Sequence, residues 1–408
     1  MKTRQLQHAI HCLSLLLGLS SLPASTHAYD FSFDGIDFTL HGFGQVVDGK
    51  IMSGNNNGTY QQWKCPCTIQ NWEYVGMYQK YKGWETAPES LAGLQLTAKF
   101  TSKLSATIQE VSRATNENNR PTPDWAFLSY DATPNWTFQA GRKRIPLYYY
   151  SDYLYIGYAY PWVRPAPDVY GWPIYEYNGA NVDYHTGLGN SDWTLEANYW
   201  GGHYAQSNDA YDTLLYTFYP NTSLPNGSGG AQTNEAWLQM HGAYVNLNNG
   251  IFGIRVMGEE HRDRASTLLP NGTTSPWFYD LNGNPTNDVL TRIMGVAFNV
   301  DTDHWIVRTE SDRFDQPATK FIYNYYLAGA GYHWQDWTGM ITQSHYITEP
   351  TPSAPIEGRR TTYFSVRWDF KPNLCLKLQY DISKDLSQKP YMFLGDSNLL
   401  SVALDGSF

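Results

Sequence analysis

The residues of this sequence best suited to interact with ions and polar solutes are charged side chains that alternate with apolar ones. In several stretches every second residue is apolar, and the residues between are polar or charged. The charged residues on the polar side are Lys99, Arg255, Arg308, Arg367 and Lys377, with Glu196, Glu259, Glu310 and Asp369. A charge flanked in this way must face water or a partner of opposite sign. We therefore predict a water-lined interior in which these residues select solutes by charge, or else form acid–base ladders that fill it.

The sequence offers little for catalysis. Four histidines fall within predicted strands: His41, His185, His241 and His345. No Gly-x-Ser-x-Gly turn, His-Glu-x-x-His helix or phosphate-binding glycine loop accompanies them. Cys65 and Cys67 flank a proline and have no third metal ligand beside them, so we expect a loop staple or free thiols. The sequence thus predicts no enzymatic activity, no cofactor and no metal site.

Apolar and polar residues alternate with period two from one end of the chain to the other. Leu374, Leu376 and Leu378, for example, alternate with Lys377 and Gln379. The predicted strands are residues 36–46, 94–100, 104–112, 124–131, 135–142, 178–186, 192–199, 235–247, 251–259, 291–300, 303–311, 321–332, 336–346, 361–370, 373–381 and 398–408. Such alternation alone fits either a soluble sandwich or a barrel.

The links between these strands distinguish the two folds. Short turns alternate strictly with long links, which are residues 47–93, 113–123, 143–177, 200–234, 260–290, 312–320, 347–360 and 382–397. A soluble sandwich has no reason to keep this rhythm, whereas an outer-membrane barrel has short turns on one side and long loops on the other. We therefore predict an all-β fold: a transmembrane, antiparallel, up-and-down β-barrel of about 16 strands.

Both ends of the chain fit this prediction. Lys2 and Arg4 precede an apolar run and a stretch of small residues that ends at Ala28, the pattern of a cleavable export signal. The last ten residues alternate up to Phe408, as a strand that closes a barrel against the first strand would. We expect residues 1–28 to be a signal peptide and residues 29–408 to form a single barrel in the outer membrane of a Gram-negative cell.

Composition excludes several other classes of protein. Only 16% of the residues are charged, and no segment after the export signal holds 18 consecutive apolar residues. Helical membrane spans are therefore not expected. The formal net charge of -10 argues against nucleic-acid binding. The expected partners are outer-membrane lipid and small hydrophilic solutes.

A segment near the middle of the first half carries a family resemblance. Residues 125–149, WAFLSYDATPNWTFQAGRKRIPLYY, read as a strand, a tight turn, a second strand and a Gly-Arg before a long link. Here the chain resembles the Gram-negative porins, in which such a hairpin precedes a loop that folds into the pore. The resemblance implies that the third long link, 143–177, folds inward and narrows the channel. It also implies association as a homotrimer.

The third long link carries the remaining candidate residues. Arg142 and Lys143 lie at its start, and Asp152, Arg164 and Asp168 lie within it. By the resemblance, we predict that these five line the constriction, although the dense acidic cluster of the general porins is missing. The link also holds a run of rings: Tyr148, Tyr149, Tyr150, Tyr153, Tyr155, Tyr158, Tyr160, Trp162, Tyr170 and Trp172. These rings either pack the loop against the wall or form a sliding surface for sugars or aromatic solutes.

The predicted function is that of a porin, through which small hydrophilic solutes diffuse passively across the outer membrane. One alternative is a substrate-specific channel that binds a sugar, a carboxylate or an anion at the constriction. An alternative of another class is a barrel that sheathes a partner protein.

Overall fold

The structure of the protein, a computed structural model, describes residues 28–55, 65–74, 76–115, 121–171, 174–207, 232–268, 273–276, 278–280, 282–286, 288–350, 356–388 and 394–408. The predicted signal peptide, apart from Ala28, lies outside these residues, as does Trp172 of the aromatic run.

Sixteen long strands form one closed antiparallel barrel, as the alternation of turns and loops predicts. They are β1 Ile36–Asn55, β2 Leu91–Lys99, β3 Leu104–Arg113, β4 Thr122–Thr133, β5 Trp136–Arg144, β6 Glu176–Gly187, β7 Thr194–Ser207, β8 Gln232–Asn248, β9 Phe252–Leu268, β10 Val289–Asp301, β11 Trp305–Gln316, β12 Phe321–Trp334, β13 Trp337–Thr348, β14 Gly358–Lys371, β15 Leu374–Asp385 and β16 Asp396–Ser407. Each strand pairs with the next. The barrel closes where β16 pairs with β1, from Phe43 opposite Ser407 to Asn55 opposite Asp396.

Several short elements lie outside this set. The strand Tyr29–Phe33 pairs with the start of β1, and Thr274–Pro276 pairs with the end of β9. Two small hairpins, Cys67–Asn71 with Gly76–Gln79 and Phe278–Tyr279 with Pro285–Thr286, lie in long links. The 3-10 turns are Lys80–Lys82, Ser151–Tyr153 and Gly157–Ala159. Among the described residues, no helix is both long and apolar enough to cross a membrane.

The apolar face of the strands points outward. Val366 and Leu376 are 42% and 40% exposed, whereas Lys377, between two outward-facing leucines of β15, is fully buried on the inner side. This distribution is the reverse of a soluble protein, and lipid is what covers such a surface in an outer-membrane barrel. The outward apolar band and the polar interior therefore follow directly from the period-two pattern.

Tryptophans gather at the short-turn end of the outer surface. Trp136, Trp305, Trp334, Trp337 and Trp368 are all exposed there, and the Trp337 and Trp368 rings stack with centroids 5.2 Å apart. Amphipathic rings favour the depth of lipid headgroups, so these residues form the expected interfacial girdle.

Trp237, near the start of β8, is an exception, because it faces inward and is fully buried. It stacks on His261 with centroids 3.9 Å apart. The cause is a bulge in β8 between Leu238 and His241, where Gln239 adopts a positive φ of 54°. An inserted residue reverses which side the following side chains face, and alternation alone does not reveal it.

Several strands extend beyond their predicted bounds at the long-loop end. β1 runs on to Asn55 and β9 to Leu268. On this part of β9 the outward side chains are the exposed Arg262 and Arg264. A strand that has left the lipid no longer needs an apolar face, so its alternation fades before its hydrogen bonds end.

Candidate functional site

The third long loop, residues 145–175, folds into the barrel and fills much of its interior. Ile145, Leu147, Trp162, Val169 and Ile174 are all buried in the largest apolar cluster of the molecule. Their neighbours on the wall include Phe43, Trp200, Tyr244, Phe314, Tyr325 and Tyr363. Burying one such side chain contributes about 1.5–3 kcal/mol. The inward fold of the loop is therefore held first by apolar packing.

Most rings of the aromatic run serve this packing. Tyr148, Tyr150, Tyr155, Tyr160 and Tyr170 are buried. Tyr150 lies at their centre, with edge-on contacts to the Tyr160 and Trp162 rings at 6.0 and 5.7 Å. The partly buried rings Tyr149 and Tyr153 line a cavity of about 230 Å³, whereas Tyr155, Tyr160 and Tyr170 border a gap of only about 40 Å³. The buried rings stabilise the loop rather than offer a surface to solutes.

Lys377 fastens the loop to the wall. Its Nζ donates to the carbonyl oxygens of Gly157 and Trp162 at 2.6 and 2.7 Å, and it pairs with Asp405 at 2.9 Å. Both charges of the pair are fully buried. A carbonyl in the irregular backbone of a buried loop needs a donor, and this ammonium satisfies two of them.

Three wall arginines hold the loop in the same way. Arg367 donates to the carbonyl oxygens of Tyr158 (2.7 Å) and Tyr160 (3.1 Å) and pairs with Asp369. The others are Arg308, which donates to the Tyr150 hydroxyl at 2.7 Å and pairs with Asp301 at 2.6 Å, and Arg255, which donates to the Pro146 carbonyl at 2.8 Å. These three arginines therefore hold the loop against the barrel wall.

The loop's own charges are buried against the same side of the barrel. Arg164 pairs with Glu89 and with Asp381 (2.8 Å), and it donates to the Ser401 hydroxyl at 2.6 Å. Asp168 accepts a hydrogen bond from Ser344 at 2.7 Å and lies 3.7 Å from Arg359 Nε. We call the inward side chains of β1, β9, β11 and β13–β16 that contact the loop the loop-bound wall.

Of the predicted wall glutamates Glu259 and Glu310, only Glu310 has a described contact with the loop. Glu310 accepts hydrogen bonds from the Tyr149 amide at 2.8 Å and from the Tyr170 hydroxyl at 2.6 Å. Glu259 lies 3.0 Å from His261 Nδ1. Both carboxylates are buried, and Glu310 positions the first turn of the loop.

The base of the loop lies in a cluster of charges from five separate segments. Arg142 pairs with Glu176 (3.4 Å), and Arg144 pairs with Asp124 (2.6 Å). Other members are Arg113, which lies 3.7 Å from Asp124, and Glu73 of the first loop, which lies 3.6 Å from Arg113. The sequence singled out only Arg142 here, because no spacing rule links residues 73, 113, 124, 144 and 176.

Glu73 attaches the first long loop to this cluster. Burial raises the pKa of Glu73 to about 8, although the neighbouring Arg113 lowers it. The carboxyl oxygens of Glu73, Asp124 and Glu176 lie within 4.8 Å of one another, and three arginines already offset them. The arrangement is therefore a docking contact between loops. In the same first loop Cys65 and Cys67 form a disulfide.

A cavity of about 230 Å³ lies between the turn of the inserted loop and the opposite wall. The loop contributes Tyr149, Asp152 and Tyr153 to it, and the wall contributes Glu196, Asn246 and Arg255 among others. Lys143 of β5 lies close by, within electrostatic reach of Asp152, Glu196 and Asp183. We call the inward side chains of β5–β8 around this cavity the open wall.

The structure thus divides the predicted site residues among five places. Arg164, Asp168, Arg255, Arg308, Arg367, Lys377 and Glu310 contact the loop or belong to it, and Arg142 lies in the charge cluster at its base. Asp152 and Lys143 lie at the open wall. Glu259 is buried beside His261, and Lys99 is exposed at the short-turn end of β2. Asp183 was missed, although it lies in a predicted strand.

Comparison with known proteins agrees on the fold. No protein-family model matches the sequence, and a search of curated proteins finds no match. Among solved structures, the chain is similar to OmpF of Salmonella typhi in complex with daunomycin, with TM-score 0.55, 11% identity, and 93% of this chain and 100% of that chain covered. It is similar to the anion-selective porin from Comamonas acidovorans, with TM-score 0.52, 11% identity, and coverage of 91% and 100%.

A third similar structure is the trimer form of in-vitro folded OmpT, an outer-membrane protein of Vibrio cholerae. Its TM-score is 0.53 and its identity 11%, with 91% of this chain and 99% of that chain covered. The chain has the porin fold. In this porin-like barrel the inserted third loop corresponds to the resemblance found in residues 125–149, whereas the strand count and the outward apolar band correspond to the turn spacing and the alternation.

Proposed function

We propose that the protein is a porin, through which small hydrophilic solutes diffuse passively across the outer membrane. The observation that supports the proposal most strongly is that the outer and inner faces of one closed sheet differ in polarity. Outward residues such as Val366 and Leu376 are apolar and exposed, while the interior holds charged side chains and a polar cavity beside an inserted loop. A barrel of this strand number is wide enough to enclose an aqueous path.

The mechanism is passive, because solutes move down their own concentration gradients. The protein supplies a path whose width is set by the inserted loop and whose lining is polar. No covalent step, no cofactor and no enzymatic activity belong to the proposal. Export by a signal peptide at residues 1–28 and location in the outer membrane are part of it.

A homotrimer is also part of the proposal. It is supported by the fold shared with the trimer form of the Vibrio cholerae protein. Crosslinking in outer-membrane vesicles, followed by electrophoresis without boiling, would reveal a band of three chains.

Reconstitution tests the function directly. The full mature chain is inserted into planar bilayers and into liposomes loaded with an impermeant polymer. We expect stepwise conductance increments in KCl, and liposome swelling whose rate falls as the size of a neutral sugar increases. A barrel with neither conductance nor swelling would contradict the proposal.

A further inference from the structure

Charges inside the barrel fall into two populations. Three cations of the loop-bound wall are paired with carboxylates: Lys377 with Asp405, Arg367 with Asp369, and Arg308 with Asp301. Each of these cations also donates to the loop. Their charges are offset locally, so they add little to the field that a passing ion meets.

Three carboxylates at the open wall are different. Asp183 accepts hydrogen bonds from the amides of Asn181 (2.6 Å) and Asn198, and Glu196 accepts from the Tyr244 hydroxyl (2.6 Å) and the Asn246 amide (3.0 Å). Asp152, on the turn of the inserted loop, lines the cavity with Glu196. In the part of the chain that the structure describes, none of the three forms an ion pair.

Two cations face these carboxylates. Lys143 lies within electrostatic reach of all three, and its Nζ contacts the neutral Gln139 side chain. Arg255 also lines the cavity, but its guanidinium is buried, lies 3.9 Å from the centre of the Tyr244 ring and donates to the Pro146 carbonyl. Three carboxylates against two cations leave a net charge of -1 at this point.

Neutral hydrogen-bond donors fix the carboxylates of Asp183 and Glu196 in place without cancelling their charge. A cleft with low-dielectric walls concentrates the field of such groups and raises the local concentration of counter-ions. The half-buried rings of Tyr149 and Tyr153 face the same cavity, and ring faces attract ammonium and guanidinium groups. Both features favour positively charged solutes.

We infer that the cavity between Asp152 and the open wall makes this channel selective for cations, with small organic ammonium ions among its preferred solutes. The inference rests on the proposed porin function. It locates selectivity in Asp152, Asp183 and Glu196 rather than in the wall arginines. Lys143 opposes the preference.

The test is the reversal potential of single channels in a KCl gradient across a planar bilayer. The wild-type chain is expected to show a potassium-to-chloride permeability ratio above one. In the variant Asp152→Asn/Asp183→Asn/Glu196→Gln the ratio should fall several-fold toward unity. We also expect putrescine to block the wild-type channel and not to block the triple variant.

A matched control removes the same charge from the same end of the barrel. Asp192, Asp303 and Asp336 are exposed residues of the short turns, outside the cavity. Their joint replacement by Asn should leave the permeability ratio and the putrescine block unchanged. An equal loss in this control would mean that overall charge, and not the cavity, sets the selectivity, and would overturn the inference.

A second variant keeps the inference testable if the triple variant does not fold. Lys143→Gln removes one positive charge, so the potassium-to-chloride ratio should rise. A wild-type ratio at or below one, or a fall in the ratio of the Lys143 variant, would overturn the inference while leaving the porin function intact. Absence of any conductance in the wild-type protein would instead remove the proposed function itself.

Discussion

The loop-bound wall and the open wall both carry charged and polar side chains on inward positions of the strands. Those of the loop-bound wall stabilise the inserted loop, whereas those of the open wall face a cavity. Lys377 on the first is fully buried and bonded to three oxygen atoms. Lys143 on the second is only partly buried and contacts a neutral amide. The difference is what lies opposite. Where irregular loop backbone packs against a strand, its carbonyl groups require donors and the wall cations satisfy them. Where a cavity separates the loop from the wall, as at the open wall, the charged side chains remain available to interact with solutes.

The largest effect is expected from Lys377→Met. The replacement leaves Asp405 buried without its partner, and loss of one member of a buried pair costs about 3–5 kcal/mol. The unfolding midpoint of the refolded barrel in urea should fall accordingly. Lys371→Met, at the exposed end of β14, is the control and should leave the midpoint in place.

Arg367→Gln should have a smaller effect on stability and little effect on ion selectivity. The variant loses hydrogen bonds to two loop carbonyl oxygens, but Arg367 and Asp369 are partly exposed, so water offsets more of the loss than at the fully buried Lys377–Asp405 pair. Freed of these bonds, the loop should fluctuate and raise the open-channel noise of single-channel recordings. A permeability ratio that moves as far as in the open-wall triple variant would show that the two walls do not differ as described.

We expect the contact between the first long loop and the charge cluster at the base of the third loop to weaken as the pH rises. The pKa of the Glu73 carboxyl is about 8 in the folded protein, against an ordinary value of 4.5 for an exposed glutamate, so folding tightens its hold on the proton. The resulting stabilisation is complete below about pH 4.5 and is lost as pH rises through 8. Thermal midpoints measured at increasing pH across this interval should therefore fall in the wild type.

The replacement Glu73→Gln should flatten this dependence. Glu349→Gln is the matched control, because the exposed Glu349 is paired with Arg313 and its pKa is lowered. It should retain the wild-type slope over the same interval. Identical slopes in all three proteins would assign the pH dependence to other groups.

The smallest effect concerns the outer surface, where neither wall is involved. Trp337→Leu removes one ring of the stacked Trp337–Trp368 pair, and such a pair is worth about 0.5–1.5 kcal/mol beyond its buried area. The unfolding midpoint should fall slightly, and the single-channel conductance should stay at the wild-type value. A changed conductance would link the girdle to the interior.

Features that depend on residues close together in the sequence could be predicted from it. Features that depend on contacts between residues far apart in the sequence could not. Alternation placed Val366 and Leu376 outside and Lys377 inside, because the side of a strand is fixed by neighbouring residues. The turn rhythm likewise predicted the closed barrel. The partners of Lys377 lie more than 200 positions away, at Gly157 and Trp162, and only the folded loop brings them together.

The open wall was foretold less well for the same reason. Asp152 and Lys143 were singled out by their place near the loop, but Asp183 is distinguished only by its neighbours across strands, Asn198 above all. Trp237 shows the other limit, since one bulged residue in β8 reverses the side that parity predicts.

The most direct test of the account is whether the solute path runs along the open wall. In a Cys375→Ser background, Asn246→Cys places a thiol at the cavity and Ser365→Cys places one on the buried loop-bound wall. Single-channel current is recorded while a charged methanethiosulfonate reagent is added. We predict a stepwise loss of current for the residue 246 variant and no change for the residue 365 variant. Block at residue 365 with none at residue 246 would contradict the account.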